Sequence, residues 1–277
     1  AEILQGTIAA VVFQNYDNGY AVLKLQCAAG TVTVVGTIPL PAIGERLSVT
    51  GKWTTHPSFG RQFEAEFLER LMPQTTNEIL AYLSGKVIKG IGPKSAARIV
   101  AHFGEETLLI MERHPERLAE VSGISPQRAK IIGEEFRMRT GMRQLLEFFT
   151  LHHLPPELAV KTYRLYGEAA TDLLYDDPYL LTDDQLDAPF GAVDHFAVEL
   201  GVDAEDPRRM EAGIRFELRY NLTAGHCFLP KDKLLSATAQ LLSVSDAAVE
   251  EALQRLLSTG QVMSDTLANI TICYLPR

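Results

Sequence analysis

Two ten-residue stretches hold the groups best suited to a phosphate. Gly90-Ile91-Gly92-Pro93-Lys94-Ser95-Ala96-Ala97-Arg98-Ile99 returns 33 positions later as Gly123-Ile124-Ser125-Pro126-Gln127-Arg128-Ala129-Lys130-Ile131-Ile132. An apolar residue, Ile88 or Val121, stands two places before each first glycine. That glycine permits a backbone turn which a side chain would obstruct. Pro93 and Pro126 suit the first turn of a helix, where an amide has no intrahelical partner. The other free amides at such a helix start, aided by the helix dipole, favour an anion. Lys94, Arg98, Arg128 and Lys130 add positive charge beside the turns, and Lys89 precedes the first one. Ala96 and Ala129 are small enough for two helices to approach closely, and Ile99 and Ile132 fall on the buried face.

The pattern resembles the helix-hairpin-helix DNA-binding motif, present as a tandem pair. On that resemblance Lys89, Gly90, Ile91, Gly92, Lys94, Ser95, Arg98, Gly123, Ile124, Ser125, Gln127, Arg128 and Lys130 form the candidate DNA-contact set, gripping backbone phosphates without reading bases. Ser125 stands where the second turn would have its second glycine. The competing reading is two plain helical hairpins closed by glycine turns. The pair itself is duplicated. A shift of 63 lays Phe103-Gly104-Glu105 on Tyr166-Gly167-Glu168, Pro115 on Pro178 and Ala96 on Ala159. One further residue brings Gly123 onto Asp187, Ala129 onto Val193 and Ile132 onto Phe196. Residues 151–200 are therefore expected to form a degenerate third and fourth copy, with Ala159, Leu165, Val193 and Phe196 in the core. Their turn positions are His153, Pro155, Asp187 and Pro189, where lost turn geometry and acidic surroundings would oppose phosphate.

A third candidate lies at Trp53–Phe63, where aromatics interleave with His56 and Arg61. Such a stretch can stack on single-stranded bases. Trp53 and Phe63 are read as core strand residues, while Phe59-Gly60-Arg61 is assigned to a loop, which makes Phe59 and Arg61 the nucleic-acid candidates there. Catalytic signatures are missing. Gly51-Lys52 and Gly85-Lys86 lack both the earlier glycine and the following Ser or Thr of a phosphate loop. No G-x-S-x-G or H-E-x-x-H occurs, and His226-Cys227 is too little for a metal site. The aspartates of 172–206 lack calcium-loop spacing. No catalytic residue, metal or cofactor is expected in this stretch of chain.

The elements that must position these groups follow from periodicity. Ile8–Phe13, Tyr20–Gln26, Thr31–Ile38, Arg46–Trp53 and Gln62–Leu68 read as strands, with Asn18-Gly19 as a tight turn. Five strands in so short a span predict a small closed barrel of the OB or SH3-like type. Beyond Pro73 the texture is helical. Helices are expected at Arg208–Asn221, Lys231–Leu242 and Asp246–Ser258, the last capped by Ser245. A hairpin of Gln261–Asp265 and Asn269–Tyr274 completes a winged-helix-like module. Its second helix carries Glu250 and Glu251, which favours packing over groove reading. The expected fold is thus multidomain, β then α: 1–71 barrel, 72–145 tandem helix-hairpin-helix, 146–229 degenerate pair plus a helix, 230–277 winged-helix-like.

Charge divides the chain the same way. The whole has 277 residues and a net charge of −9. Counted on the sequence, 72–145 holds 11 basic and 8 acidic side chains, and 146–229 holds 6 and 16. A basic island therefore sits beside a block of net −10. With 46% hydrophobic and 22% charged residues the composition is that of a folded globular chain. Three scattered cysteines, Cys27, Cys227 and Cys273, exclude a disulfide scaffold and suit a reducing compartment. No run is long and apolar enough for a bilayer span and no signal peptide is expected, so the sequence reads as cytoplasmic.

The order of parts resembles the start of long RecD/TraA-type superfamily 1 DNA helicases, related to the exodeoxyribonuclease V alpha chain. A barrel, Gly51-Lys52-Trp53 with His56 and Phe59-Gly60-Arg61-Gln62-Phe63, and then Ile88-Lys89-Gly90-Ile91-Gly92 carry that resemblance. Asp177-Pro178-Tyr179-Leu180-Leu181 and Gly225-His226-Cys227-Phe228-Leu229 extend it to nearly the whole chain. It implies a DNA-binding accessory region ahead of a 5′→3′ helicase motor that uses ATP and Mg, with roles in DNA repair and recombination. The implied partners are single-stranded or forked DNA, the chain's own motor and a protein at the acidic block, with no membrane. Two other readings stay open: a junction-binding protein of the RuvA type, and a protein-interaction scaffold using 146–229.

Overall fold

The first five strands alternate in burial because one face of each must line a common core. They are β1 (Glu2–Gln14), β2 (Tyr20–Cys27), β3 (Gly30–Thr37), β4 (Arg46–His56) and β5 (Gly60–Arg70). On β2, Ala21, Leu23 and Leu25 point inward, while Tyr20, Lys24 and Gln26 face solvent. Ile8, Val34, Leu47, Val49 and Phe63 complete that core. The strands close in the order β1-β2-β3-β5-β4, with β4 returning onto β1 and only β3 and β5 parallel. This is the OB topology, which decides between the two barrel types expected. The tight turn expected at Asn18-Gly19 is instead a five-residue loop, 15–19. Only Gly19 takes a positive φ, and the Asn15 carboxamide oxygen accepts the Asp17 amide at 2.8 Å.

Helices follow. α1 (Thr76–Ser84) starts at Thr75, whose hydroxyl accepts the Glu78 amide, while the Glu78 carboxylate accepts the Gln74 amide. This reciprocal pairing satisfies amides that a helix start leaves open. α2 (Pro93–Phe103), a 3-10 turn at 104–106, α3 (Thr107–Arg113), a second 3-10 stretch at 115–120 and α4 (Pro126–Leu151) come next. Their shared core includes Ile79, Leu83, Ile88, Ile91, Ile99, Met111, Leu118, Ile124 and Ile132, with Ala96 and Ala129 fully buried at the close approach. A buried ion cluster ties β5 and the 38–45 loop of the barrel to α4. Glu45 lies 3.3 Å from Arg70 and 3.5 Å from Arg139 and accepts the Ala42 amide at 2.8 Å, while Arg139 donates to the Leu40 carbonyl at 2.9 Å.

The structure describes residues 1–277 and groups them as two units, Ala1–Thr150 with Pro156–Glu168, and Leu151–Pro155 with Ala169–Arg277. Element bounds reproduce the 63-residue shift. Helical stretches beginning at 93, 104, 107 and 115 return at 156, 167, 170 and 178, as a 3-10 turn leading into α5 (Ala159–Tyr166), a 3-10 turn, α6 (Ala170–Asp176) and a 3-10 stretch. α7 (Phe190–Glu199) begins 64 residues after α4. Ala159, Val193 and Phe196 are fully buried, like Ala96, Ala129 and Ile132. Leu165 is exposed, contrary to expectation, because the shift sets it on exposed His102 and not on a core position. The expected loss of turn geometry also does not occur. His153 and Asp187 hold φ of 56° and 46°, where Gly90 and Gly123 hold 92° and 89°. What changes is two residues on: Gly92 and Ser125 have amide hydrogens, and the corresponding Pro155 and Pro189 have none.

In the second unit, α8 (Pro207–Thr223), the two-residue strand β6 (Leu229–Pro230), α9 (Lys231–Leu242), α10 (Asp246–Ser258), β7 (Met263–Leu267) and β8 (Ile270–Tyr274) follow in order. α8 packs on α9 and α10, and the strands form an antiparallel sheet β6-β8-β7. Ser245 caps α10 by accepting the Ala248 amide, as expected. The hairpin begins two residues later than expected, since Gln261 and Val262 bond back to the end of α10. Arg209 is buried, paired with Asp194 at 2.9 and 3.1 Å and bonded to the Ala204 and Leu242 carbonyls. Tyr179 donates to the same carboxylate at 2.7 Å; burial, then that bond, pushes its phenol well above the usual range.

Candidate nucleic-acid interface

At the first turn, Ile91 donates its amide to the Ile88 carbonyl at 3.2 Å, closing a loop in which Gly90 takes φ 92°. Gly92 is extended at φ −96° and ψ 178°, and α2 starts at Pro93 with no side chain capping it. The amides of Lys94 and Ser95 therefore face outward without intrahelical partners. The second turn repeats this, with Ile124 donating to Val121 at 3.2 Å and Gly123 at φ 89°. Here the Ser125 hydroxyl accepts the Arg128 amide at 3.1 Å, so one donor of the second site is already occupied. A serine three places before that amide is a helix-cap signal that the sequence carries. Ile91 and Ile124 are buried, so only their backbone is available to a ligand.

The cations divide into two groups. Lys89, Lys94 and Lys130 are exposed, as is Gln127, and none of the three ammonium groups forms an ion pair or hydrogen bond within the chain. Arg98 and Arg128 are engaged. Arg98 donates to the Ser122 carbonyl at 3.4 Å. Arg128 donates to the Gly123 carbonyl at 3.2 Å, to the Ser95 hydroxyl at 3.3 Å and to the Gly90 carbonyl.

At the barrel, the tip is a three-residue turn between β4 and β5, and Gly60 and Arg61 belong to β5, not to a loop. His56 shapes it: its Nδ1 accepts the amides of Ser58 at 3.0 Å and Phe59 at 3.2 Å. The reading of 53–63 as an aromatic stretch did not foresee this role; a histidine two places before a serine at a turn is its only signal. Phe59 is 76% exposed, with its ring 4.7 Å from His56. The Arg61 guanidinium lies 3.9 Å over Trp53, which meets Phe63 edge-on at 5.2 Å and donates to Glu2 at 3.0 Å. Phe63 is fully buried and Trp53 half-buried. The Trp53 face is covered, and the outer face of Arg61 and the Phe59 ring remain as stacking surfaces.

No helix is long and apolar enough to cross a membrane. Known proteins give independent bearings. Residues 1–73 match the family described as ATP-dependent DNA helicase YrrC, OB-fold domain. Residues 138–228 match that described as ATP-dependent RecD2 DNA helicase HHH domain. The second match covers α5 to α8, where the turn glycines are replaced; the two glycine turns lie between the matches. The ATP-dependent RecD2 DNA helicase of Deinococcus radiodurans is 24% identical over 271 residues, 95% of this chain. The chain spans 38% of the length of that relative. A barrel match, a helical match and an alignment along nearly all of the sequence agree in making this chain similar to part of a RecD-type helicase.

Proposed function

We propose that this chain is the DNA-binding region of an ATP-dependent helicase and that it holds the sugar-phosphate backbone without reading sequence. The observation that carries the reading is the pair of left-handed glycine turns, each opening a proline-started helix, with Lys89, Lys94 and Lys130 unpaired beside them. Free helix-start amides and unpaired ammonium groups together suit phosphate oxygens. The turn sites comprise Lys89, Gly92, Lys94, Ser95, Gln127 and Lys130, with Gly90, Ile91, Gly123, Ile124 and Ser125 contributing backbone. Phe59 and Arg61 offer a second surface for unpaired bases.

Residues 151–200 are proposed as a second helix-hairpin-helix pair that does not grip phosphate, since Pro155 and Pro189 lack the amide and the block is acidic. A basic protein surface fits that block. The helix order of α8 to α10 with its three-stranded sheet supports a winged-helix module that packs and does not read a groove. The name of the relative supports a partnership with an ATP-dependent motor; its use of Mg, 5′→3′ movement and a role in repair or recombination follow from the family resemblance.

The test is a salt titration on duplex DNA. Lys94→Ala with Lys130→Ala should weaken binding alike on unrelated sequences and flatten the slope of log affinity against log salt by up to about 1.8 if both neutralise a phosphate. Unchanged affinity and slope would show that the hairpins are only structural.

A further inference from the structure

Ser95 and Arg128 hold the same place in the two repeats, 33 positions apart, and they touch at 3.3 Å. One guanidinium thus meets its own repeat equivalent while binding the carbonyl of the first glycine in each turn, Gly90 and Gly123. Arg98 reaches the opposite way, from the first hairpin to the Ser122 carbonyl of the second. Arg128 spreads its three bonds over two terminal nitrogens of one planar fork, whereas a lysine has its three donors on a single nitrogen and lacks that fixed span. We propose that Arg128 is a positioning residue: it latches the two turns at one separation so that both engage a single nucleic-acid backbone, and it is not itself a phosphate ligand.

The chemistry follows from where the carbonyls go. A free carbonyl oxygen beside a phosphate repels it, and here two such oxygens are bound to one cation. The helix-start amides are then left as the outward groups. With the spacing preset, the second grip becomes intramolecular once the first is made, so the two contacts reinforce each other. The inference rests on the DNA-binding reading above, but the latch also has a signature that needs no DNA.

The experiment uses the whole 277-residue protein. Spin labels at Lys89→Cys and Gln127→Cys, with Cys27 and Cys227 replaced by serine, report the separation of the turns in free protein. Arg128→Lys keeps the charge but loses the fork. It should broaden that distance distribution and lower duplex affinity by about five- to tenfold, the scale of one lost contact, with the salt slope unchanged. Ser95→Ala, which removes one of the three acceptors, should move both readouts the same way by less, and it covers the case in which Arg128→Lys fails to fold. An Arg128→Lys protein with wild-type affinity, paired with an Arg128→Ala protein whose slope falls by about 0.9, would make Arg128 a phosphate ligand and overturn the proposal. So would an unchanged label distribution. Should Lys94→Ala and Lys130→Ala leave DNA binding untouched, the DNA reading fails, while the label distances still decide the latch.

Discussion

Gly104 and Gly167 stand 63 residues apart and share one backbone shape, with φ and ψ of 60° and −135° at the first and 59° and −140° at the second. Each amide donates to the carbonyl four residues earlier, Val100 and Tyr163. That combination of angles is open to glycine and strained for any residue with a Cβ. Nothing lies within 4 Å of where a Cβ would stand at either site. Gly104→Ala and Gly167→Ala should therefore cost similar amounts, roughly 1–3 kcal/mol each, all of it from the backbone. Urea melts of the two variants measure this; a neutral Gly167→Ala would break the equivalence of the two corners.

Tyr82 faces Glu45, Arg70 and Arg139, and burial, the leading cause, pushes its phenol up to about 12. Below pH 10 the ring is neutral in folded and unfolded chains alike. Between pH 10 and 12 the unfolded chain releases the proton and the folded one keeps it, so stability falls as pH rises. The loss attributable to Tyr82 should reach about 2–3 kcal/mol by pH 12. Denaturant titrations of Tyr82→Phe against wild type across this window isolate it, and parallel curves would refute the assignment.

Glu45 is 4% exposed and holds both Arg70 and Arg139. Glu45→Gln leaves buried Arg70 without a counter-charge and Arg139 with Glu135 as its remaining carboxylate, at 3.5 Å, and should destabilise the first unit by about 3–5 kcal/mol. Desolvation already holds Arg70 below the usual arginine range, which is the direction expected of a cation that depends on its partner. A loss under 1 kcal/mol would show that water reaches the cluster.

Phe59→Ala at the barrel tip should leave the melting curve in place, because its ring is largely in solvent. Affinity for a short single strand should fall by about 1–3 kcal/mol if a base stacks there. Equal binding of oligo-dT by both proteins would remove the tip from the interface.

The sequence of this chain contains no phosphate loop, so it should not hydrolyse ATP, with or without DNA. A DNA-stimulated activity that copurifies with the chain through several columns, and persists when contaminants are excluded, would count against reading it as an accessory region.

Strand and helix positions were legible because each element carries its own period, as in Ala21, Leu23 and Leu25 on β2. The turns were legible because glycine before proline has few other uses. Contacts between distant residues were not. Arg128 looks like any exposed cation until the fold brings Ser95, Gly90 and Gly123 around it. Glu45 and Arg139 are 94 positions apart, and nothing beside Arg209 in the sequence marks it as buried against Asp194. Leu165 is apolar yet exposed, like its aligned partner His102, so side-chain character alone does not give its place. The left-handed turns at His153 and Asp187 were hidden because histidine and aspartate tolerate that conformation without signalling it as strongly as glycine does.

Pro155 and Pro189 separate two properties that usually travel together. The corner at each is drawn by the residues before it, whose backbone angles survive without glycine. At the place of Gly92 and Ser125, a pyrrolidine ring replaces the amide hydrogen with carbon and so removes one donor from the corner. On the proposed function, the copy serves as a shaped building block that does not grip phosphate. Restoring the hydrogen, by Pro155→Gly and Pro189→Gly, would leave the surrounding carboxylates as the sole barrier and reveal how much of the silence they account for.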